Sequence, residues 1–249
     1  MVTALLVPPY LLAMPTSRSA ARFLSRLWYG TVCRLAGLRL RVNGAPIGGG
    51  PILFVSNHVS YLDIPILALL IDAVFVAKTE VASWPLFGFL ARIARTVFIQ
   101  RTSVHAARQR EKLARRLLKD NLILFPEGTS TSGLQVLPFK SALFSVAKHG
   151  PGPSHVRVQP VSIAYVGGRD GAPLLGGRQD WYAWYGDMNL GPHLLNVFAL
   201  PGADVEVTFH DPVDSDDFET RKELAVHCHE QIAHAVEVAH AGPTVLVAA

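Results

Sequence analysis

At 249 residues the chain is long enough for one α/β domain with a well-buried core and a short appended segment, and too short for two independent enzymes. Half of its residues are hydrophobic, 17% are charged and the net charge is +4, an apolar and mildly basic balance that suits an anionic membrane surface and is equally compatible with a large soluble core. Cys33 and Cys228 are the only cysteines and lie outside any C-x-x-C pair, so neither a disulfide framework nor a cysteine zinc site is expected and a reducing compartment is the simpler reading.

Residues 2–14 are apolar and uncharged, but Pro8 and Pro9 interrupt them and Pro15 ends them. The run falls short of the about 18 residues a spanning helix needs. No Lys or Arg precedes it, so a basic n-region is missing and export is not the expectation. Next comes a basic amphipathic helix, with Leu24, Leu27, Trp28, Tyr29, Val32 and Leu35 on one broad face and Arg18, Arg22 and Arg26 in steps of four on another. Such a helix can lie in the headgroup layer, with Trp28 and Tyr29 close to the arginines; the alternative is that its apolar face packs on the core.

From residue 38 onward short β-rich runs at 51–56, 73–77, 96–100, 121–125, 157–165 and 204–210 alternate with helical stretches at 62–71, 81–93, 103–119, 139–148 and 216–239. The pattern predicts an α/β fold, a single domain with a mixed, mostly parallel sheet covered by helices. Between 167 and 201 the rhythm lapses into a segment rich in Gly and aromatics, too long for an ordinary connection, which is either a specificity element or a surface excursion held down by Trp181, Tyr182, Trp184 and Tyr185.

Two strand ends carry chemistry. The strand at 51–56 runs into Asn57-His58-Val59-Ser60-Tyr61-Leu62-Asp63, and sheet ends are where α/β folds keep their sites. Residues five apart lie about 140° from each other on a helix, so His58 and Asp63 can meet only if His58 is still in the loop. Asp63 would then accept from one ring nitrogen and leave the other free to take a proton from a hydroxyl, a His–Asp pair without a protein nucleophile. The bland alternative makes Asn57 and Asp63 turn and cap residues. The strand at 121–125 ends in Pro126-Glu127-Gly128-Thr129-Ser130, where Glu127 could bind a polar head and backbone amides could hold an anion.

N-H-x-S-x-x-D followed about sixty residues later by F-P-E-G-T resembles the glycerophospholipid acyltransferase family of PlsC type, the bacterial lysophosphatidate acyltransferases and their relatives. Two further blocks fall in the family's order: Lys78, Glu80, Pro85 and Gly88 leading to Thr96-Val97-Phe98-Ile99-Gln100-Arg101, and Val158-Gln159-Pro160-Val161. The resemblance implies His58 as general base, Asp63 as its orienting partner, and acceptor binding by Arg101, Lys78 and the loop Glu127, Gly128 and Thr129. It also implies an acyl-CoA or acyl carrier protein donor, a lysolipid acceptor, and no metal or bound cofactor. Residues 1–37 would be the membrane-associating segment and 38–249 the catalytic domain, held at the cytoplasmic face of the cell membrane against an anionic surface.

Ser130 stands where the family carries an arginine, and Gln100 replaces a common acidic residue. Losing a bidentate contact weakens the case for a phosphate-headed acceptor. Residues 137–144 and 184–188 look like the branch that includes lyso-ornithine lipid acyltransferases. The expected acceptor is 1-acyl-sn-glycerol-3-phosphate, with lyso-ornithine lipid as the alternative and a thioesterase or lipase as the rival from another class.

Other signals carry less. His229-Glu230 with His234 is one residue longer than the zinc-protease spacing. Gly48-Gly49-Gly50 precedes a strand and reads as a turn. The basic stripe Lys112, Arg115, Arg116 and Lys119 joins no nucleic-acid module, so no nucleic-acid partner is expected. Ser56 and Ser60 lack a G-x-S-x-G elbow.

Overall fold

A computed structural model describes residues 2–100, 106–148 and 156–241. Two helices precede the sheet, α1 (Val2–Ala13) and α2 (Arg18–Leu35). The hydroxyl of Ser17 accepts from the amide of Ala20 and caps α2, which fixes the turn between them. The first helix runs through Pro8 and Pro9, at the cost of the two amide donors that would have met the carbonyls four residues earlier. Trp28 Nε1 donates to Thr3 Oγ1 at 3.1 Å, and the Tyr10 hydroxyl donates to the Ile93 carbonyl at 3.0 Å, so the hairpin is fastened internally and to the domain.

The faces of α2 divide differently from the periodic reading. Ala21 and Cys33 are buried and Leu24, Trp28, Tyr29 and Val32 half-buried, while Leu27 and Leu35 are exposed together with Phe23. Arg22, placed with the basic face, pairs with Asp72 at 2.6 Å. Among the described residues no helix is long and apolar enough to cross a membrane.

The sheet holds β1 (Arg39–Asn43), β2 (Ile52–Ser56), β3 (Val74–Lys78), β4 (Val97–Ile99), β5 (Leu122–Leu124), β6 (Arg157–Gly168), β7 (Ala203–Phe209) and β8 (Val213–Asp214). Its order is β1-β7-β6-β2-β5-β3-β4, with β8 also on β6. Neighbours are parallel except β6 with β7 and β8, so the fold is the mixed, mostly parallel sheet the alternating pattern predicts. Helices α3 (Asp63–Leu70), α4 (Phe87–Ile93), α5 (Ala106–Leu117), α6 (Ser145–Lys148), α7 (Leu190–Ala199) and α8 (Arg221–Ala241) complete the chain.

All five residues of β2 are buried, as expected of a central strand covered on both faces. Alternation sorts them: Ile52 and Phe54 pack with Ile66, Leu67, Ile123 and Ile163 in one core, whereas Leu53 and Val55 pack with Leu113, Leu117, Leu122 and Leu224 in the other.

Several expected elements are shorter or broken. The helix read over 81–93 is a 3-10 turn, Thr79–Ser83, then a break, then α4. Pro85 pushes Trp84 into an extended conformation and Leu86 turns at φ +59°, so a continuous helix is impossible there. The stretch over 139–148 is likewise a 3-10 turn, Ser141–Phe144, followed by the one-turn α6. Asp214 and Asp217 form a capping box around a 3-10 turn, which delays α8 to Arg221. In the other direction, β6 continues past Tyr165 to Gly168 through a register shift, and α7 lies inside the segment read as irregular.

Candidate active site

Because β2, β5 and β3 are parallel neighbours, their C-terminal ends share one edge of the sheet. That edge receives the His58 loop after β2, the Glu127 loop after β5 and Lys78 at the end of β3. His58 lies in the loop before α3, and its Nδ1 meets Asp63 Oδ2 at 2.7 Å. The amides of Val59 and Ser60 donate to the same oxygen at 2.7 and 2.9 Å, and the Tyr165 hydroxyl donates to Oδ1 at 2.9 Å. With Asp63 fully buried and surrounded by donors, Nδ1 carries the imidazole proton and Nε2 keeps its lone pair. The ring is stacked on Phe125, centroids 4.0 Å apart and planes 16° from parallel.

Glu127 is buried, and each of its oxygens accepts from a backbone amide: Oε1 from His58 at 2.7 Å, Oε2 from Leu137 at 2.8 Å. Burial pushes its pKa up to about 7, against the lowering pull of the Leu137 and His58 amides. The carboxylate thus ties the two motif loops together. Gly128 takes φ +79°, which a residue with a Cβ would adopt only under strain, and its amide closes the turn onto the Phe125 carbonyl at 3.1 Å. Thr129 and Lys78 are exposed at the same sheet edge, and Ser130 is half-buried beside them. Arg101 lies outside the described residues.

Some parts of the site were not singled out from sequence. Tyr165, at the far end of β6, contributes the bond to Asp63 through tertiary structure alone. Asn57 is buried and pairs with the backbone of Ile163 in both directions, at 2.8 Å each, continuing the β2–β6 ladder by one side chain. Its position at a strand end suggests a cap or turn residue, whereas its side chain acts as a further rung between the two strands. The aromatic segment docks beside the His58 loop: the Trp184 amide donates to the Val59 carbonyl at 2.9 Å, and the Trp184 ring meets Trp84 and Tyr61 edge to face. His193 on α7 bonds the Tyr61 hydroxyl at 2.9 Å.

The C-terminal histidines do not converge. His227 bonds Gln231, His229 reaches the Val136 carbonyl and His234 is exposed. Among the described residues no three His, Cys, Asp or Glu side chains come together as a metal site. Ser56 and Ser60 are fully buried, so neither presents a hydroxyl as a nucleophile.

A helix-covered sheet with an oriented imidazole at its strand ends is suited to activating a hydroxyl supplied by a substrate. The family model described as Acyltransferase matches residues 39–164, and the chain belongs to the PlsC-type acyltransferase family. It is 39% identical over 230 residues to the lyso-ornithine lipid O-acyltransferase of Rhizobium meliloti, covering 90% of this chain and 78% of that one. To the 1-acyl-sn-glycerol-3-phosphate acyltransferase of Neisseria gonorrhoeae it is 31% identical, covering 76% of this chain and 70% of the relative. The fold is shared with the crystal structure of the 1-acyl-sn-glycerophosphate acyltransferase PlsC from Thermotoga maritima, at TM-score 0.67 and 20% identity over 94% of this chain and 86% of that one. The protein is therefore an acyltransferase, an enzyme that moves an acyl group from a donor to an acceptor.

Proposed function

We propose that the protein is a lysolipid O-acyltransferase in which His58 is the general base. The observation that carries this reading is the 2.7 Å bond from His58 Nδ1 to a buried Asp63, which leaves Nε2 basic. The acceptor hydroxyl attacks the carbonyl carbon of an acyl thioester from coenzyme A or acyl carrier protein, and its proton passes to Nε2. The tetrahedral intermediate collapses, the C–S bond breaks, and the imidazolium returns the proton to the leaving thiolate. Asp63 holds the tautomer and stabilises the imidazolium, without itself taking the proton. In this reading Lys78, Thr129 and the Glu127-Gly128 turn face the acceptor head, and the family resemblance assigns Arg101 to the same role.

The acceptor we assign is a lyso-ornithine lipid. Relatives of that name match more of this chain at higher identity than the glycerophosphate enzymes do, and Ser130 withholds an arginine that a phosphate head would use. Lysophosphatidate is the second reading, supported by the shared N-H-x-S-x-x-D and F-P-E-G-T motifs. Residues 1–37 hold the enzyme on the cytoplasmic face of the membrane, through the exposed Leu5, Leu12 and Phe23, and 38–249 carry the reaction. The test is thiol release from acyl-CoA by purified enzyme in detergent, with lyso-ornithine lipid, lysophosphatidate or no acceptor. Release that requires lyso-ornithine lipid supports the assignment, a preference for lysophosphatidate favours the second reading, and release without acceptor makes the enzyme a hydrolase.

A further inference from the structure

The basic stripe along α5 and the turn after it is not among the residues assigned to the candidate active site, and it lines a concave site. Arg95, Lys112, Arg115, Arg116 and Lys119 surround a cleft of about 300 Å³ between α5 and the edge strand β4, floored by Thr96, Val97 and Phe98. Among the described residues, two carboxylates pair with these cations. Asp120 takes Arg116 at 2.8 Å and Arg95 at 3.2 Å, and Glu111 takes Arg115 at 2.5 Å. Lys112 Nζ donates to the Phe98 carbonyl at 3.0 Å.

The cations are under-compensated. Arg116 Nη2 is buried without a hydrogen-bond partner among the described residues. Burial lowers the Arg116 pKa and the Arg95 charge lowers it further, against the raising effect of Asp120. Arg95 ends α4 at φ +64° in a Schellman turn, its amide on the Arg92 carbonyl at 2.9 Å and the Thr96 amide on the Ala91 carbonyl at 3.0 Å, so the helix end fixes where its side chain leaves the backbone. Two guanidinium groups crowded on the single carboxylate of Asp120, with Lys112, Arg115 and Lys119 around the same cleft, leave a positive excess that an oxyanion would offset.

Location decides which oxyanion. The Tyr10 hydroxyl bonds the carbonyl of Ile93 and feels the charge of Arg95 two residues on, so the C-terminal part of α1 runs close to one of the residues that line the cleft. That helix exposes Leu5 at 73% and Leu12 at 75%, side chains that favour hydrocarbon. An apolar helix beside a cationic cleft matches the order of a bilayer edge, acyl chains next to phosphate.

We propose that Arg95, Lys112, Arg115, Arg116 and Lys119 form a site for the phosphate of an anionic phospholipid headgroup, separate from the acceptor site at the sheet edge. This rests on the reading that α1 and α2 lie on the membrane. Occupancy would hold the protein more tightly where the leaflet is anionic.

The experiment uses the full chain and cosedimentation with vesicles of phosphatidylcholine alone or with phosphatidylglycerol, for the wild type and for Lys112→Gln/Arg115→Gln/Lys119→Gln, which spares the Asp120 cluster. The expected result is an affinity gain from phosphatidylglycerol that falls about a hundredfold in the variant, since each cation near an anionic surface is worth about fivefold. Binding to phosphatidylcholine alone reports the apolar helices and should not change, nor should turnover of lysolipid in detergent. A variant that keeps the full phosphatidylglycerol gain overturns the site. So does an equal loss of that gain when inorganic phosphate is added at a concentration matched in ionic strength by chloride controls that leave it intact, because the cleft would then serve a soluble phosphate. Failure of both proteins to bind phosphatidylcholine would refute the anchor reading separately.

Discussion

The backbone amide of His58 donates to Oε1 of Glu127 at 2.7 Å, so the carboxylate of one motif holds the loop that carries the other. Its second oxygen is committed to the Leu137 amide. Replacing it by an amide must set an NH2 against one of two backbone N–H donors. We expect Glu127→Gln to lower kcat by about a hundredfold through displacement of the His58 loop, the size of effect that an error of an ångström in a positioned base produces. KM should move much less. A variant whose loss lies mainly in KM would instead make Glu127 a group that binds the acceptor directly.

The same carboxyl sets a pH dependence. Its folded pKa, pushed by burial to about 7, lies above the ordinary 4.5, so between those values the folded chain keeps a proton that the unfolded chain has released. Its contribution to stability is therefore fully present below about pH 4.5 and is lost as pH rises through about 7. Thermal midpoints across that interval should fall more steeply for the wild type than for Glu127→Gln. Parallel curves would mean that the carboxyl stays ionised throughout.

Tyr165 supports Asp63 from the opposite side of the carboxylate, at 2.9 Å and fully inside the protein. Tyr165→Phe removes a donor and leaves a buried charged oxygen unpaired, which costs about 1–3 kcal/mol. We expect a measurable drop in the denaturation midpoint together with roughly a tenfold fall in kcat, since the Asp–His pair loses part of its preorganisation. Unchanged kcat with lowered stability would limit Tyr165 to a role in packing.

The legibility of these features follows how local each one is. The buried strands β2 and β5 announce themselves as apolar runs because both faces are covered, and the His58–Asp63 spacing constrains its own geometry. Strand β1 is hard to read from sequence because Arg39 and Arg41 make it look like surface. Their partner is Asp204 on β7, 165 and 163 residues away, bonded at 2.6 and 3.1 Å. The docking of Trp184 against Trp84 and the Val59 carbonyl is likewise a meeting of distant segments that no periodicity encodes. The break at Leu86 is local, since Pro85 disfavours a helical Trp84, and the apolar periodicity over 81–93 overruns that signal.

Ser130 offers the sharpest test of acceptor choice. It is half-buried in the turn after β5, within the loop that Glu127 anchors. An arginine there would supply a fixed fork of donors to a dianionic phosphate, whereas the head of an N-acylated ornithine sets its single carboxylate beside an ammonium that repels a guanidinium. A charge-assisted bond of about 1.5–3 kcal/mol corresponds to roughly tenfold or more in binding. Ser130→Arg should accordingly raise kcat/KM for lysophosphatidate relative to lyso-ornithine lipid by about that factor, measured by thiol release with the two acceptors in parallel. The ratio matters more than either rate, because any disturbance of the turn affects both acceptors alike. If the ratio stays fixed, position 130 does not read the head group, and the aromatic segment carrying Trp184 becomes the place to look for the selection.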